Sequence, residues 1–269
     1  PKKGPGSPGM SVGGGGHGGQ GGATGGTYGA LARPTALGSG GATELRYGGG
    51  AIRLIADGTV DVNGKVSAKA NDSNAFTGSG GSIWITAGTL AGSGAILASG
   101  GNNSSAYYTG GGGRIALFAS RHDFTGSVSV APGTVSGATP GKTGTLFRCT
   151  SPVPDCGAAE RKGPQLATGF AVDSNAVYIT RTVTRWDRSF AWSDESRDPD
   201  GNAVNNSADY VLSGLPPAVT YAVFTNGALA VAKADSGVTG TLSLDGVPLA
   251  PGAAVLVQRV PAGTLILIR

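Results

Sequence analysis

A short aliphatic motif preceded by glycines recurs along this chain at nearly constant spacing, and such a repeat dictates a stacked architecture. The copies are Gly49-Gly50-Ala51-Ile52-Arg53-Leu54, Gly81-Ser82-Ile83-Trp84-Ile85 and Gly113-Arg114-Ile115-Ala116-Leu117. Their isoleucines are 31 and 32 residues apart, and a fainter copy, Gly144-Thr145-Leu146-Phe147, follows at a similar interval. The spacing predicts that each copy occupies the same place in successive coils of a solenoid.

Each repeat contains three short predicted strands. Ile52 and Leu54 lie two residues apart, so both point to one side of a strand. Turn residues separate them from Val60 and Val62, and a second turn precedes Val66. Because so small a unit cannot bury its apolar side alone, we expect residues 48–148 to form an all-β, right-handed parallel β-helix with an internal isoleucine ladder. The polar runs at 71–74 and 102–105 are expected to be loops at one corner.

The first 47 residues are dominated by glycine, which makes up 50 of the 269 residues of the chain, against about 7% in ordinary proteins. One interpretation is a flexible low-complexity tract. The other is an ordered segment, 1–47, that packs flat against the first coil and covers its open end, since a bare end exposes strand edges.

A change of composition marks the end of the solenoid. Residues 149–165 contain Cys149, Cys156 and three prolines, and are expected to link two domains. Two cysteines without a nearby histidine make a poor zinc site, so a local disulfide is expected, which indicates an oxidising compartment.

Residues 166–269 contain about eight short alternating segments, and such a series predicts an antiparallel β-sandwich. Asn226-Gly227 and Asp245-Gly246 are strong turn dipeptides. The last segment, 264–268, contains Leu265, Ile266, Leu267 and Ile268. Either it closes its own sandwich, or it adds to the sheet edge of a neighbouring copy and so builds a filament.

Two resemblances to known families follow from these motifs. Leu37-Gly38-Ser39-Gly40-Gly41, the three glycine-flanked copies and Val62-Asn63-Gly64 resemble, over about residues 12–135, the repeats of Gly-rich secreted bacterial β-helix proteins. That resemblance implies a β-helix and a cell-surface or matrix setting, and it brings no catalytic residues. Residues 210–216 and 220–223 resemble the corner before the F strand in fibronectin type III-like and Ig-like modules.

Charge excludes some functions. The net charge is +4 and the basic residues are scattered, so no basic stripe favours nucleic acid. Only 13% of residues are charged, which suits a secreted β-protein better than a cytosolic enzyme. No apolar run reaches the ~20 residues that span a bilayer. Pro1 is an unusual start, so we expect a removed leader or a mature fragment.

The solenoid lacks the carboxylates that a polysaccharide-cleaving β-helix needs. No Asp or Glu lies between Asp72 and Asp123, and no Lys or Arg between Lys69 and Arg114. We therefore expect no enzyme activity. The expected function is a secreted structural protein that self-associates, and the alternative is a carbohydrate-binding or polysaccharide-degrading β-helix.

Two ligand sites remain candidates. The loop 198–209 offers Asp198, Asp200, Asn202 and Asp209 as oxygen ligands with the spacing of hard-cation loops, so it predicts calcium; an Asx-rich surface loop is the alternative. The other candidate is a glycan platform, with Trp84 on a coil face and Tyr107 and Tyr108 on the corner loop. For these aromatics the alternative is lateral packing.

Overall fold

The computed structural model describes residues 4–9, 12–42, 46–150, 164–171 and 177–261. These residues form an all-β protein with no helix in the described ranges. A β-solenoid of about four turns is followed by antiparallel sheets, which confirms the predicted fold class. The right hand of the solenoid and the sandwich arrangement stay predictions.

Sixteen strands are assigned to the described residues. The solenoid contains β1 Ala51–Ile55, β2 Thr59–Asp61, β3 Lys65–Ser67, β4 Ser82–Gly92, β5 Ala95–Leu97, β6 Arg114–Phe124, β7 Ser127–Ser129 and β8 Thr145–Thr150. The C-terminal part contains β9 Gln165–Ala171, β10 Tyr178–Trp186, β11 Ser189–Arg197, β12 Ser207–Ser213, β13 Thr220–Thr225, β14 Ala228–Asp235, β15 Leu242–Pro248 and β16 Ala254–Arg259.

The predicted aliphatic ladder is confirmed. Strands β1, β4, β6 and β8 pair in parallel, so that Ile52, Ile83, Ile115 and Leu146 are stacked in register. Ile83 and Ile115 are fully buried in a core that also contains aliphatic side chains from the third strand of each coil. The faint fourth copy is therefore a genuine coil position.

Coils two and three differ from the prediction of three strands per repeat. Strands β4 and β6 are each 11 residues long and run through the position of the expected first turn. The ladder continues there because Gly88 N donates to Gly58 O of the first coil at 2.8 Å. Of the first three coils, the first alone divides this stretch into two strands, β1 and β2, and both pair with β4.

The polar runs lie at one corner of the solenoid, as predicted. Ser73 and Asn103 form an isolated parallel bridge. Asp72 Oδ1 accepts a hydrogen bond from Asn102 N at 2.7 Å, and Asn102 Oδ1 accepts one from Thr134 N at 3.0 Å. Although partial burial opposes ionisation, the hydrogen bonds from Lys69 and Asn102 lower the pKa of Asp72.

Glycine-rich segments outside the strands form a second layer against the solenoid, here called the glycine layer. It consists of residues 4–9, 13–26, 38–42, 46–50, 76–81, 108–113 and 141–144. The amides of Gly14, Gly15 and Gly16 donate to three separate segments, at the carbonyls of Gly22, Thr77 and Gly6. In a chain with three residues per turn, as in polyproline II, three successive amides point in three different directions. In a β-strand, successive amides alternate between only two directions.

The segments of the glycine layer approach one another so closely that side chains are excluded. A Cβ atom on Gly112 would lie 1.7 Å from Val130 O, and one on Gly14 would lie 1.9 Å from Thr109 O. Real atoms do not approach to these distances. The abundance of glycine is therefore a packing requirement, in which backbone contacts backbone directly.

The described part of the N-terminal segment runs along the side of the coils. Its hydrogen bonds reach the later coils: Gly22 N donates to Thr109 O, and Gly19 N donates to Gly112 O, both at 2.9 Å. The expected cap on the first coil stays a prediction.

The C-terminal strands continue the solenoid sheet. Strand β10 pairs in parallel with β8, from Tyr178 beside Leu146 to Thr182 beside Thr150. The sheet order is β1-β4-β6-β8-β10-β11-β16-β13-β14, with β2 beside β4. The smaller sheets are β15-β12-β9 and β3-β5-β7. Residues 149 and 150, expected in a linker, belong to this shared sheet.

One of the two dipeptides predicted to form turns does so, and the other does not. Asn226 and Gly227 join β13 and β14 with positive φ angles of 53° and 77°, as the hairpin prediction requires. Asp245 and Gly246 instead lie inside β15. The register shifts beside them, and Gly246 N donates to Asp209 Oδ1 at 2.7 Å. Asp245-Gly246 therefore belongs to a β-bulge and not to a turn.

Candidate functional site: the open first coil

The first coil exposes an unpaired sheet edge. Within the described ranges, β1 pairs only with β4, at the start of the ten-stranded sheet. Ile52 and Leu54 face the core but are only half-buried, whereas Ile83 in the next coil is fully buried. Ile55 is 49% exposed. The apolar interior of the solenoid is therefore accessible at this end.

Charged residues surround this edge, although the next coil carries none. Arg53, Asp57, Asp61 and Lys65 are all exposed on the first coil. Lys69 Nζ forms an ion pair with Asp72 at 2.7 Å. Charges on an edge strand oppose indiscriminate pairing with other chains. Because both signs are present, the edge favours a partner with a complementary charge pattern.

A buried polar cluster fastens the N-terminal segment to β6. His17 is 0% exposed and its Nδ1 donates to Gly80 O at 3.0 Å. Arg114 Nε donates to Tyr28 O at 2.9 Å and its Nη1 to Thr145 Oγ1 at 3.0 Å. Burial, reinforced by the charge of Arg114, lowers the pKa of His17 to about 4. Burial also lowers the pKa of Arg114 to about 10.

The calcium prediction is not supported by the geometry. Both carboxylate oxygens of Asp198 accept hydrogen bonds from Asn202, at 2.8 and 2.9 Å. Asp209 lies on β12, where its Oδ1 accepts a hydrogen bond from Gly246 N. No group of three His, Cys, Asp or Glu residues close enough to hold a metal ion exists in the described part of the chain. Asp198, Asp200 and Asn202 form an Asx-type turn, which was the alternative interpretation.

The three aromatics of the proposed glycan platform belong to two places: Trp84 lies in a buried core, and Tyr107 and Tyr108 both pack on Phe76. Trp84 is only 5% exposed, and Arg53 lies over its ring at 3.9 Å from the centroid. It belongs to a core with Leu31 and Phe118, so the expectation of an open face is wrong and lateral packing is the outcome. Tyr107 is 48% exposed on the corner loop, with its ring edge against Phe76 at 5.1 Å. Tyr108 is half-buried and stacks on the same phenylalanine.

Two further predictions fall partly or wholly outside the described residues. Cys149 is buried in β8, but Cys156 is not among the described residues, so the disulfide stays a prediction. Residues 265–268 also lie outside them, and their part in self-association stays a prediction.

A buried ion pair, which the sequence did not indicate, joins two sheets of the C-terminal part. Arg181 Nε donates to Asp194 Oδ1 at 2.8 Å, and Arg181 Nη2 donates to Thr168 Oγ1 at 2.8 Å. Tyr210 Oη donates to Asp194 Oδ2 at 2.8 Å. The carboxylate is therefore surrounded by donors in the core, where it ties β10 and β11 to β9 and β12.

Comparisons with known proteins identify no relative. No family model, no curated protein and no solved structure matches the chain. In the ranges that the structure describes, no helix has the length and apolar character to cross a membrane.

Proposed function

We propose that this protein is a non-enzymatic structural component of the cell surface or extracellular matrix, secreted and self-associating through its first coil. The observation that supports this proposal is the open edge of β1, with half-buried aliphatic side chains beneath it. Soluble proteins normally cover or shorten such an edge. In the described ranges, the glycine-rich segment that precedes β1 runs along the side of the coils, and no strand pairs with β1 on the side away from β4.

Backbone groups on this edge are oriented for strand addition. Ser82 N donates to Gly50 O, and Ala56 N donates to Thr86 O. Because alternate residues of a parallel strand bond to the same neighbour, the amides of Arg53 and Ile55 point away from β4. An added strand gains main-chain hydrogen bonds from these groups, and the exposed apolar side chains supply further affinity.

The proposed assembly is a filament. The opposite end of the solenoid sheet is already covered, since β10 pairs with β8. A partner must therefore meet the first coil with a different surface, and such a heterologous contact propagates without closing. The C-terminal segment 265–268 is the predicted partner surface.

Substitutions at Ile55 test this proposal. Ile55→Pro removes the outward N–H but no hydrogen bond to β4, whereas Ile55→Val keeps that N–H as the matched control. Sedimentation equilibrium should reveal association of the wild type and of Ile55→Val. The proline variant should associate more weakly by about tenfold or more, or about 1.4 kcal/mol. A wild type that stays monomeric, or a folded proline variant that associates equally well, contradicts the proposal.

Carbohydrate binding at the corner loop is the second candidate function. It is favoured by Tyr107, whose exposed ring is held in place by Phe76 beside a row of asparagines. Calorimetric titration with neutral oligosaccharides tests it. Tyr107→Ala should abolish the signal while Trp84→Phe preserves it, and a signal that persists in Tyr107→Ala excludes this site.

A further inference from the structure

A cavity of about 940 Å³ opens on the C-terminal sheets, separate from the solenoid residues discussed so far. It lies between the β10–β11 turn, the beginning of β13 and the end of β16. Its volume is at the upper end of the ~300–1,000 Å³ that small-molecule sites occupy.

The floor of the cavity is apolar. Phe190 and Tyr221 line it with Pro216, and both aromatic side chains are almost fully buried. The ring of Phe190 is also held by Trp186, with centroids 5.1 Å apart in an edge-to-face arrangement. A rigid apolar floor surrounded by polar groups that can orient a ligand is the usual anatomy of a ligand site.

Two arginines dominate the polar rim. Arg188 and Arg259 line the cavity and are exposed, with Gln258 beside them. Arg259 lies near enough to Tyr221 to oppose the rise in pKa that burial causes in this phenol. Planar guanidinium groups recognise carboxylate and sulfate through paired hydrogen bonds.

Among the described residues that line the cavity, Asp187 is the one with an acidic side chain, and the backbone already engages it. Ser189 N donates to Asp187 Oδ1 at 3.3 Å. Backbone hydrogen bonds from Ser189 and Arg188 lower the pKa of this carboxyl, so it stays ionised within its own turn. The rim therefore keeps a net positive charge, and Asp187 does not cancel both arginines.

We propose that this cavity binds an acidic saccharide, with Arg188 and Arg259 holding its carboxylate or sulfate groups and the apolar floor contacting a sugar ring. Gln258 and Ser189 offer polar groups for ring hydroxyls. A nucleic acid fits less well, because the basic residues of the chain are scattered in the sequence and form no run that would follow a phosphate backbone. This proposal does not depend on self-association through the first coil.

Calorimetry with the full chain tests the site, using an oligogalacturonate, a heparin-derived oligosaccharide, a neutral glucose oligomer, acetate and sulfate as titrants. We expect at least one acidic oligosaccharide to bind in a way that depends on the two arginines, whereas any signal from the neutral oligomer should be the same in the wild type and in the arginine double variant. Arg188→Gln/Arg259→Gln should weaken binding by about tenfold or more, because charge-assisted hydrogen bonds are about twice as strong as neutral ones. Arg121→Gln/Lys142→Gln removes the same charge elsewhere and is the matched control.

Four results overturn the proposal. In the first two, neither acidic oligosaccharide binds, or the two double variants weaken binding equally. In the other two, acetate or sulfate binds as tightly as the oligosaccharides, or single-stranded DNA binds more tightly than they do in a parallel titration. The proposal is supported if binding to the wild type weakens with salt, and if Arg188→Gln/Arg259→Gln loses this binding while Arg121→Gln/Lys142→Gln keeps it.

Discussion

The glycine layer and the C-terminal sheets exclude water in opposite ways. In the glycine layer, backbone meets backbone, and the amides of neighbouring segments bond to one another without intervening side chains. In the C-terminal sheets, Trp192, Tyr210 and Phe190 fill the interior around the buried pair of Arg181 and Asp194. Substitutions that add atoms should therefore destabilise the glycine layer most, and substitutions that remove atoms should destabilise the C-terminal sheets most.

The same contrast explains why the two regions carry different polar groups. The glycine layer satisfies its amides with backbone carbonyls and with short hydroxyl side chains such as Thr77, whose Oγ1 accepts from Gly110 N at 2.9 Å. Its larger buried polar side chains, His17 and Arg114, lie where it meets β6. A side-chain core between two sheets tolerates a buried charge only with complete pairing, and Asp194 receives donors from Arg181 and Tyr210.

The largest expected effect is in the C-terminal core. Asp194→Ala leaves the Arg181 guanidinium buried without its partner, and breaking such a pair costs about 3–5 kcal/mol. Urea unfolding should record this loss. Glu195→Ala, on the same strand but partly exposed, is the control and should change stability by less than about 1 kcal/mol. Equal stability of Asp194→Ala and wild type would mean that the pair is not buried as described.

An acid-dependent loss of stability is expected where the glycine layer meets β6. The unfolded chain binds a proton at His17 near pH 6.5, whereas the folded chain resists protonation until about pH 4. Stability should therefore fall as pH decreases through this interval, and level off below it. The contribution is at most about 3 kcal/mol. Urea midpoints at several pH values measure it.

A paired substitution isolates the contribution of His17. His17→Phe should flatten the pH dependence between about pH 6.5 and pH 4, since phenylalanine does not titrate. His122→Gln, which alters the other histidine, should leave the His17 contribution in place. Identical slopes in wild type and His17→Phe would refute the buried neutral histidine.

A smaller effect is expected inside the glycine layer. Gly112→Ala forces a methyl group against Val130 O and should cost about 1–3 kcal/mol through overpacking. Gly50→Ala is the matched control, because a Cβ atom there meets no atom within 4 Å. Its stability should be unchanged within about 0.5 kcal/mol. Thermal melts of the two variants give the comparison, and equal melting temperatures would contradict close backbone packing at residue 112.

The solenoid was the most predictable part, because its period and its alternation at residues such as Ile52 and Leu54 are local signals. The position of the glycine layer was not, since glycine carries no side-chain pattern to indicate a partner. Strand β9 was missed because Gln165–Ala171 follows a proline-rich stretch and alternates weakly. Its pairing with β12 depends on contacts more than 30 residues away.

The candidate sites were predicted less well, for a similar reason. Loop spacing placed Asp198 and Asp209 in one ligand set, yet β12 begins at Ser207 and carries Asp209 away from the turn. Trp84 was expected on an exposed face, because nothing in the local sequence reveals that Leu31 packs in the same core. Burial at such positions is set by long-range contacts.

Amide hydrogen exchange, followed by mass spectrometry or NMR, measures directly whether the glycine layer is a folded interior. The amides of Gly14, Gly15, Gly16, Gly111 and Gly112 all donate to backbone carbonyls and should exchange as slowly as those of β4 and β6. Gly58 and Gly64, which are exposed and lie outside the glycine layer, show how fast an accessible glycine exchanges. Exchange of residues 14–16 and 111–112 at that same rapid rate would contradict a backbone-bonded interior.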